Sequence, residues 1–357
     1  MTCPPKVSVI IPAYNASRTL AATLDSVRAQ TFTQFECWIV DDGSTDDTAA
    51  IAELYGKADP RFRLLRQPNR GVALARNTAL EQSQGEFVAA LDADDVWHPD
   101  YLRAHVSALT ESSPHVGFSY CFARAIDEHG WVKSTMQTHG ISGRIGQALR
   151  YHNAVGNPSV VVFRRDHIIG AGGYDPRLQQ SGSVGSEDWL LLMKVAATSE
   201  ATVIPLYLVG YRVLPDSMSA DRMRMVKSSL LAEQIYMAEL PEAATPERVG
   251  RWRSALWALE RGRDAMRSGK IVRAAWALGL GALLDPARLC ARLADIPVSI
   301  YLLSRRQDMR DWAQLRPDED FFNHHQSRPF SSRLMKSRLQ RLSSTAGPDP
   351  QRLWPTR

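Results

Sequence analysis

The sequence predicts an α/β fold, a mainly parallel sheet flanked by helices, followed by a C-terminal helical extension. Two observations carry this prediction. Short apolar runs without polar alternation, typical of buried parallel strands, alternate with stretches of helical periodicity through about the first hundred residues. From about Met225 these runs give way to longer stretches with apolar residues at helical spacing. An alternating strand–helix order indicates a parallel sheet with helices on both faces.

The elements of the first half follow from these runs. Four strands are predicted, over Lys6–Ile11, Cys37–Val40, Phe62–Leu65 and Phe87–Leu91. Three helices join them, from Asn15 or Ser17 to about Gln30, from Ser44 or Thr45 to about Tyr55, and from Gly71 to about Ser83. In the first helix Leu20, Leu24 and Val27 are four and three residues apart, which predicts an apolar stripe packed on the sheet.

Fewer and less regular elements are predicted for the sequence that follows the first hundred residues. They are a helix from Pro99 to about Leu109, a strand over Val116–Phe122, a loop with a short helix in 127–150, a strand over Asn157–Phe163, and a helix from Leu190 to about Thr198. Glu187 and Asp188 open this last helix, where carboxylates complement the helix dipole. The functional alternative is that Asp188 is a general base.

The strand predicted at Phe87–Leu91 ends in three carboxylates, Asp92, Asp94 and Asp95. Residues two apart in an extended chain share one face, so Asp92 and Asp94 would lie side by side. Neighbouring carboxylates repel unless a cation lies between them, and Mg²⁺ and Mn²⁺ prefer oxygen ligands. The stretch therefore predicts a metal and phosphate site at the carboxyl end of a strand. The alternative is an acidic turn that caps the next helix.

Polar residues also follow the other strand ends. Asn15 follows the first strand, and Asp41 and Asp42 follow the second. Open parallel sheets bind ligands at the carboxyl ends of their strands, so these residues should lie along one edge with the acidic stretch. Strand-end loops are polar in many α/β proteins, which leaves a purely structural alternative open. The sequence has no GxGxxG after the first strand and no GxxxxGK[ST], HExxH or GxSxG motif.

Composition narrows the class of protein. The chain has 357 residues, 44% of them hydrophobic and 23% charged, as in folded globular proteins. Its four cysteines lack CxxC spacing, which argues against a zinc site and fits a reducing cytosol. We expect neither a signal peptide nor a membrane-spanning helix.

Residues 1–250 hold 23 Lys/Arg and 28 Asp/Glu, and residues 251–357 hold 20 Lys/Arg and 10 Asp/Glu. An acidic front half argues against nucleic-acid binding, whereas the basic back half suits an anionic membrane surface or a solvated helical face.

Four blocks occur in a fixed order: Val7-Ser-Val-Ile-Ile-Pro-Ala-Tyr-Asn15, Ile39-Val-Asp-Asp-Gly-Ser-Thr-Asp46, Asn69-Arg-Gly-Val-Ala-Leu-Ala-Arg-Asn77 and Leu91-Asp-Ala-Asp-Asp95, with a looser fifth block, Ser186-Glu-Asp-Trp-Leu190. Together they resemble the inverting nucleotide-sugar glycosyltransferases of family 2, which have the GT-A fold. Any one block is weak, but four in this order and spacing are specific. The strong likeness covers about residues 6–100, and a looser one reaches about residue 220.

The resemblance implies roles for individual residues. Asp41, with Asp42 as its close competitor, would hydrogen-bond the nucleotide base. Asp94 would bind Mg²⁺ or Mn²⁺ directly, with Asp92 directed to the ribose or to a water of the metal. The implied set is the donor-binding residues Pro12, Tyr14, Asn15, Asp41, Asp42, Arg76 and Asp92, the metal ligands Asp94 and Asp92, the general base Asp188, and the weaker candidates Glu187 and Arg212.

The implied reaction moves a sugar from a nucleoside-diphosphate donor, with a UDP-sugar favoured, to a glycan or lipid-linked acceptor in cell-surface polysaccharide synthesis. The implied location is cytoplasmic, with peripheral contact at the inner face of the cell membrane as an option. One departure stands out. Many relatives have a His in a segment like Tyr211–Ser219, where this chain has none. Arg212 lies in this segment, either as a contact to phosphate or as a surface arginine that follows a strand.

The predicted organisation is a catalytic domain over 1–222, with a donor half (about 1–100) and an acceptor half (about 101–222), a helical extension over 223–310, and a basic, disordered tail over 311–357. Residues 286–306 predict an amphipathic helix that either lies on a membrane or packs on the core with a wet basic face. Two alternative functions stay open, a non-catalytic glycan-binding or scaffold domain and a sugar nucleotidyltransferase. Sugar nucleotidyltransferases carry a Gly-rich phosphate loop after the first strand, and this chain lacks such a loop.

Overall fold

A computed structural model describes residues 4–136, 140–183, 185–214, 217–218, 221–240 and 269–285, isolated positions between 251 and 266, and residue 340. Its strands are β1 (Val7–Ala13), β2 (Phe35–Asp41), β3 (Phe62–Arg66), β4 (Phe87–Ala90), β5 (Val96–Trp97), β6 (Val116–Ile126), β7 (Val132–Thr135), β8 (Val161–Arg164) and β9 (Glu200–Arg212). Its helices are α1 (Leu20–Arg28), α2 (Thr48–Ala58), α3 (Val72–Gln82), α4 (Tyr101–Thr110), α5 (Gly146–Tyr151), α6 (Arg165–Gly170), α7 (Arg177–Gln180), α8 (Glu187–Thr198), α9 (Arg222–Glu239) and α10 (Ile271–Leu284).

The described strands form one sheet in the order β3-β2-β1-β4-β8-β6-β9-β5, with β7 paired to β6. Strands β1 to β4 are parallel to one another, as the sequence predicts. All residues of β1, β2 and β4 are buried, which explains their unbroken apolar runs. The second half of the sheet is mixed, because β8 pairs antiparallel with both β4 and β6 whereas β6 and β9 are parallel.

One predicted strand begins later than expected. Residues Pro158–Val160 form a 3₁₀ turn, and β8 starts only at Val161. Proline fixes φ near −65° and has no N–H to donate, so it suits the first position of a helical turn better than a central strand. This turn brings Ser159 under the acidic stretch that follows β4, as described below.

The C-terminal extension begins with α9, which packs against α8. Its Ala232, Ile235 and Tyr236 belong to the same hydrophobic core as the sheet, and Lys194 of α8 forms an ion pair with Glu239 at 2.8 Å. The boundary at 222/223 stays a prediction. The segments 286–306 and 311–357 lie outside the described residues, apart from Gln340. Within the described chain, no helix has both the length and the hydropathy to cross a membrane.

Candidate functional site

The strand register aligns the predicted site residues at one edge of the sheet. Ala13 at the end of β1 lies beside Asp41 at the end of β2, and Ile10 lies beside Ala90 near the end of β4. The loops that leave these three strands therefore begin at the same edge, where parallel sheets bind ligands. Tyr14, in the first of these loops, is 52% exposed, and Pro12 is buried.

Asn15 joins the first two loops. Its side-chain oxygen accepts the N–H of Thr45 at 2.8 Å, and its own N–H donates to Ser44 Oγ at 3.0 Å. Asn15 has a φ of 49°, in the left-handed region that asparagine tolerates better than most residues. These contacts give Asn15 the task of shaping the loop, beside any contact with a nucleotide.

The two aspartates at the end of β2 have different surroundings. Both carboxylate oxygens of Asp42 accept hydrogen bonds from the loop that leads into α3, namely from Gln67 Nε2 at 2.7 Å, the Arg70 N–H at 2.9 Å and the Gly71 N–H at 2.7 Å. Gly71 has a φ of 91°, which favours glycine there. Asp41 instead accepts one backbone N–H, that of Ser44 at 3.0 Å. This pattern makes Asp41 the better candidate of the two for the predicted contact with a nucleotide base.

Arg76 lies at the centre of the candidate site. Its side chain is 2% exposed; Nη1 donates to Glu187 Oε1 at 2.7 Å and Nη2 to Asp92 Oδ1 at 2.6 Å. The guanidinium also lies over the Tyr174 ring, 5.1 Å from its centroid. Burial by itself would lower the pKa of Arg76, but the charges of Asp92 and Glu187 raise it above its ordinary value. One buried cation thus joins α3, the acidic stretch and the start of α8.

Asp95 is the internal anchor of the acidic stretch. It is fully buried, with Oδ2 accepting from Ser159 Oγ at 2.6 Å and Oδ1 accepting from the Arg212 N–H at 2.9 Å. Burial, and next the charges of Asp94 and Asp92, raise the pKa of Asp95 well above its usual range. Ser159 Oγ also accepts the N–H of Asp92 at 3.1 Å. The Asp95 oxygens are therefore engaged by the protein rather than directed to a ligand.

Hydrogen bonds from α1 and from Thr19, the residue before it, fix the backbone of the same stretch. Thr19 Oγ1 donates to the Ala93 carbonyl at 2.9 Å, and Thr23 Oγ1 donates to the carbonyls of Ala93 and Asp95 at 3.0 and 2.8 Å. The stretch between β4 and β5 is thus held from both sides. Such support keeps the neighbouring Asp92 and Asp94 in a defined position, which a binding site requires.

Arg212 is placed differently from a surface arginine. It is 5% exposed; Nε donates to the Asp94 carbonyl at 2.8 Å, and Nη1 donates to the carbonyls of Asp127 and Glu128, both at 2.7 Å. The side chain therefore ties the acidic stretch to the turn between β6 and β7. These contacts favour a loop-holding role over the predicted phosphate contact, because the donors face backbone carbonyls.

The residues after β4 fit a divalent cation. Ligand atoms of Asp92, Asp94 and Asp95 all lie within 4.8 Å of one another. Asp95 is engaged by Ser159 and Arg212, whereas Asp94 and Asp92 are the two partly exposed carboxylates of the stretch, and Asp92 shares one oxygen with Arg76. Carboxylate oxygens suit Mg²⁺ and Mn²⁺, which also keep waters and substrate phosphates as ligands.

The two carboxylates that open α8 also differ in burial and in their partners. Glu187 is buried and paired with Arg76. Asp188 is partly exposed and borders the Tyr174 ring and an apolar group of side chains, Pro158, Val161, Phe163, Leu191 and Leu192. Burial, and next the charge of Glu187, raise the pKa of Asp188 to about 7, although Arg76 opposes this. A carboxylate with a pKa near neutrality suits proton transfer at neutral pH.

Two supporting residues were missed at the sequence level. Asn77 donates Nδ2 to the Tyr174 carbonyl at 2.7 Å and accepts the Tyr174 N–H on Oδ1 at 2.8 Å, so it fixes the ring on which Arg76 lies. Its position directly after Arg76 in the third block was an available signal. Ser159 offered no signal, because it lies in a mainly apolar run and its partner Asp95 is 64 residues away.

Comparisons with known proteins identify the domain. Residues 8–170 match the family model described as Glycosyl transferase family 2. This segment is a glycosyltransferase family 2 domain. The chain is 43% identical over 116 residues to the putative teichuronic acid biosynthesis glycosyltransferase TuaG of Bacillus subtilis, covering 32% of this chain and 46% of TuaG. It is 42% identical over 99 residues to the putative glycosyltransferase EpsH of the same organism, covering 28% and 29%. These matches span less than half the length of the curated relatives.

Solved structures of other proteins share the fold of this chain. The chain matches Staphylococcus aureus TarS 1–349 in complex with UDP-GlcNAc with a TM-score of 0.53 and 20% identity, over 77% of this chain and 90% of that one. It matches the mannosyltransferase PcManGT from Pyrobaculum calidifontis, in complex with GDP-Man and Mn²⁺, with a TM-score of 0.53 and 19% identity, over 96% and 89%. The predicted α/β fold of GT-A type is confirmed.

Proposed function

We propose that this protein is an inverting glycosyltransferase that moves a sugar from a nucleoside-diphosphate donor to a hydroxyl of a glycan or lipid-linked acceptor. The observation that carries this proposal is the bridge made by Arg76, which links Asp92 of the acidic stretch to Glu187, the neighbour of Asp188. The candidate metal ligands and the candidate base therefore belong to one site. The relation to TuaG, and to the chondroitin synthase of Escherichia coli at 43% identity over 99 residues, supports a role in polysaccharide synthesis.

The chemistry suits the residues at this edge. An acceptor hydroxyl is a weak nucleophile, and Asp188 would take its proton as it attacks the sugar. A divalent cation held by Asp94 and Asp92 would supply electrostatic stabilisation of the charge on the leaving diphosphate. The buried charge of Arg76 would add to this stabilisation from below. A single displacement inverts the anomeric carbon and requires one base and no protein nucleophile, in contrast to retaining glycosidases.

The favoured donor is a UDP-sugar, with Asp41 contacting the base. In support, the Escherichia coli relative WfgD, 38% identical over 116 residues, is named as a UDP-Glc-dependent glucosyltransferase acting on a diphosphoundecaprenol-linked sugar. That name also supports a lipid-linked acceptor and hence action near the cytoplasmic face of a membrane. A GDP-sugar is the competing donor, because PcManGT shares the fold and was solved with GDP-Man.

Nucleotide binding is the first test. We expect one of UDP, GDP, dTDP and CMP to raise the melting temperature of the full chain, and to do so only with Mn²⁺ present. Saturation at about 100 times the dissociation constant corresponds to roughly 2.7 kcal/mol of stabilisation, a shift that differential scanning fluorimetry resolves. Asp94→Asn should abolish the metal-dependent part, because it removes a charged oxygen ligand.

The matched control for this test is Glu111→Gln, which removes an exposed carboxylate at the end of α4, away from the strand edge. It should leave the nucleotide shift unchanged. Absence of a shift with every nucleotide, in the unaltered chain with Mn²⁺, would contradict the donor site and favour the scaffold function.

The pH dependence follows from the surroundings of Asp188. Its pKa of about 7 predicts that the transfer rate rises with pH through neutrality, because the base must lose its proton before it acts. Glu187→Gln should move this rise to lower pH, since it removes the neighbouring negative charge that raises the pKa of Asp188. The positive charge of Arg76, which lowers that pKa, is then no longer paired with Glu187. Initial rates between pH 5 and 9 measure both profiles. A rise that stays at the same pH in the variant would contradict the assignment.

A further inference from the structure

The described part of the C-terminal extension exposes an apolar surface on α10. One face of this helix is buried: Ala274, Ala277 and Gly281 are hidden, and Gly281 lies so close to Leu259 that an added Cβ would approach its Cγ to 2.9 Å. The opposite face carries Val272, Trp276 and Leu283, which are 84%, 71% and 80% exposed. A helix that is hydrophobic all round is ordinarily buried. We call these three residues the α10 outer face.

Charge favours one kind of occupant for the α10 outer face. The helix contains no acidic residue, and its border carries exposed Lys270 and Arg273. Across residues 251–285 there are seven Lys/Arg and three Asp/Glu. Arg251 and Arg261 on the preceding stretch are exposed as well. A stripe with tryptophan and aliphatic residues beside basic side chains suits a bilayer with anionic headgroups, whereas protein–protein interfaces are depleted in lysine.

We propose that the α10 outer face docks on the surface of an anionic phospholipid bilayer. The 14 residues of α10 span about 21 Å, which is shorter than the roughly 30 Å hydrocarbon core, so the helix lies in the plane of the surface. Trp276 and Leu283 enter the acyl boundary, and Lys270 and Arg273 stay at the headgroups. This proposal is independent of the glycosyltransferase proposal. It places the lipid contact before the segment 286–306, for which the sequence left membrane contact and core packing as alternatives.

The test is co-sedimentation of the full chain with vesicles of phosphatidylcholine alone or with added phosphatidylglycerol. We expect binding to the anionic vesicles, weakened at least tenfold by the double substitution Val272→Asp and Trp276→Asp. Replacing Lys270 or Arg273 by Ala should weaken binding about fivefold for each charge removed. Leu54→Asp on α2, a residue 63% exposed on another helix, is the matched control and should bind as the unaltered chain does.

Two results would overturn the proposal. One is equal vesicle binding by the double variant and the unaltered chain, or no binding by either. The other is a loss of self-association in the double variant, measured by light scattering, without a change in vesicle binding, which would assign the face to a second copy of the chain. Melting temperatures show whether each variant is folded, and the nucleotide-induced shift should persist in all of them. Failure of the lipid proposal is therefore distinguishable from failure of the donor site.

Discussion

Replacing Asp188 by Asn should lower the rate of sugar transfer by about 10²–10⁴-fold, because the amide cannot accept the proton of the acceptor hydroxyl. The side chain keeps nearly the same size, so the packing beside Tyr174 and Leu191 is retained. Nucleotide-induced stabilisation should be unchanged, since the predicted metal ligands follow β4 and not the start of α8. Single-turnover assays with radiolabelled donor, run beside the thermal shift, measure the two quantities separately.

The matched control is Asp166→Asn. Asp166 lies in the first turn of α6 as Asp188 lies in the first turn of α8, but Asp166 is exposed whereas Asp188 is only partly so. It should transfer sugar at the unaltered rate. A normal rate of sugar transfer by Asp188→Asn would contradict the assignment of Asp188 as the general base. Retained nucleotide binding with no transfer, in the unaltered chain as well, would favour the scaffold function.

Replacing Arg76 by Leu should destabilise the fold by about 3–5 kcal/mol, because it leaves the carboxylates of Asp92 and Glu187 without their cation. For a domain of this size that loss corresponds to a fall in melting temperature of roughly 6–20 °C. Urea denaturation measures the free energy of unfolding directly. Activity should also be lost, since Arg76 positions both the acidic stretch and the start of α8.

Adding Glu187→Gln to Arg76→Leu should restore part of this stability, because it neutralises the more buried of the two uncompensated carboxylates. Arg66→Leu is the surface control. Arg66 pairs with Glu53, with both side chains about half exposed, and such pairs contribute about 0–1 kcal/mol. Equal losses from Arg66→Leu and Arg76→Leu would contradict the central role of the buried bridge.

Several features of the site were predictable before the structure was known. The apolar runs that became β1, β2 and β4 lack polar alternation because both faces of these strands are buried. Parallel strands end at one edge, so the positions of Asn15, Asp41 and Asp92 at that edge followed from the strand order alone. Their individual roles in donor and metal binding stay predictions.

The hydrogen-bond partners that distinguish neighbouring carboxylates were not predictable. Asp41 and Asp42 are adjacent and chemically identical, and only the loop before α3 engages both oxygens of Asp42. Asp95 is buried and accepts hydrogen bonds from Ser159 and Arg212, which reach it from distant parts of the chain.

The sequence by itself determined the alternation of strands and helices in the first half, the family-specific blocks and the edge at which polar residues collect, since these depend on local periodicity and on the geometry of parallel sheets. Only the tertiary structure decided which carboxylates anchor the loops, as Asp42 and Asp95 do. It also placed Arg212 on backbone carbonyls and showed that Val272, Trp276 and Leu283 of the α10 outer face are exposed. Hydrogen-bond partners and burial depend on residues far apart in sequence, and no local pattern encodes such contacts.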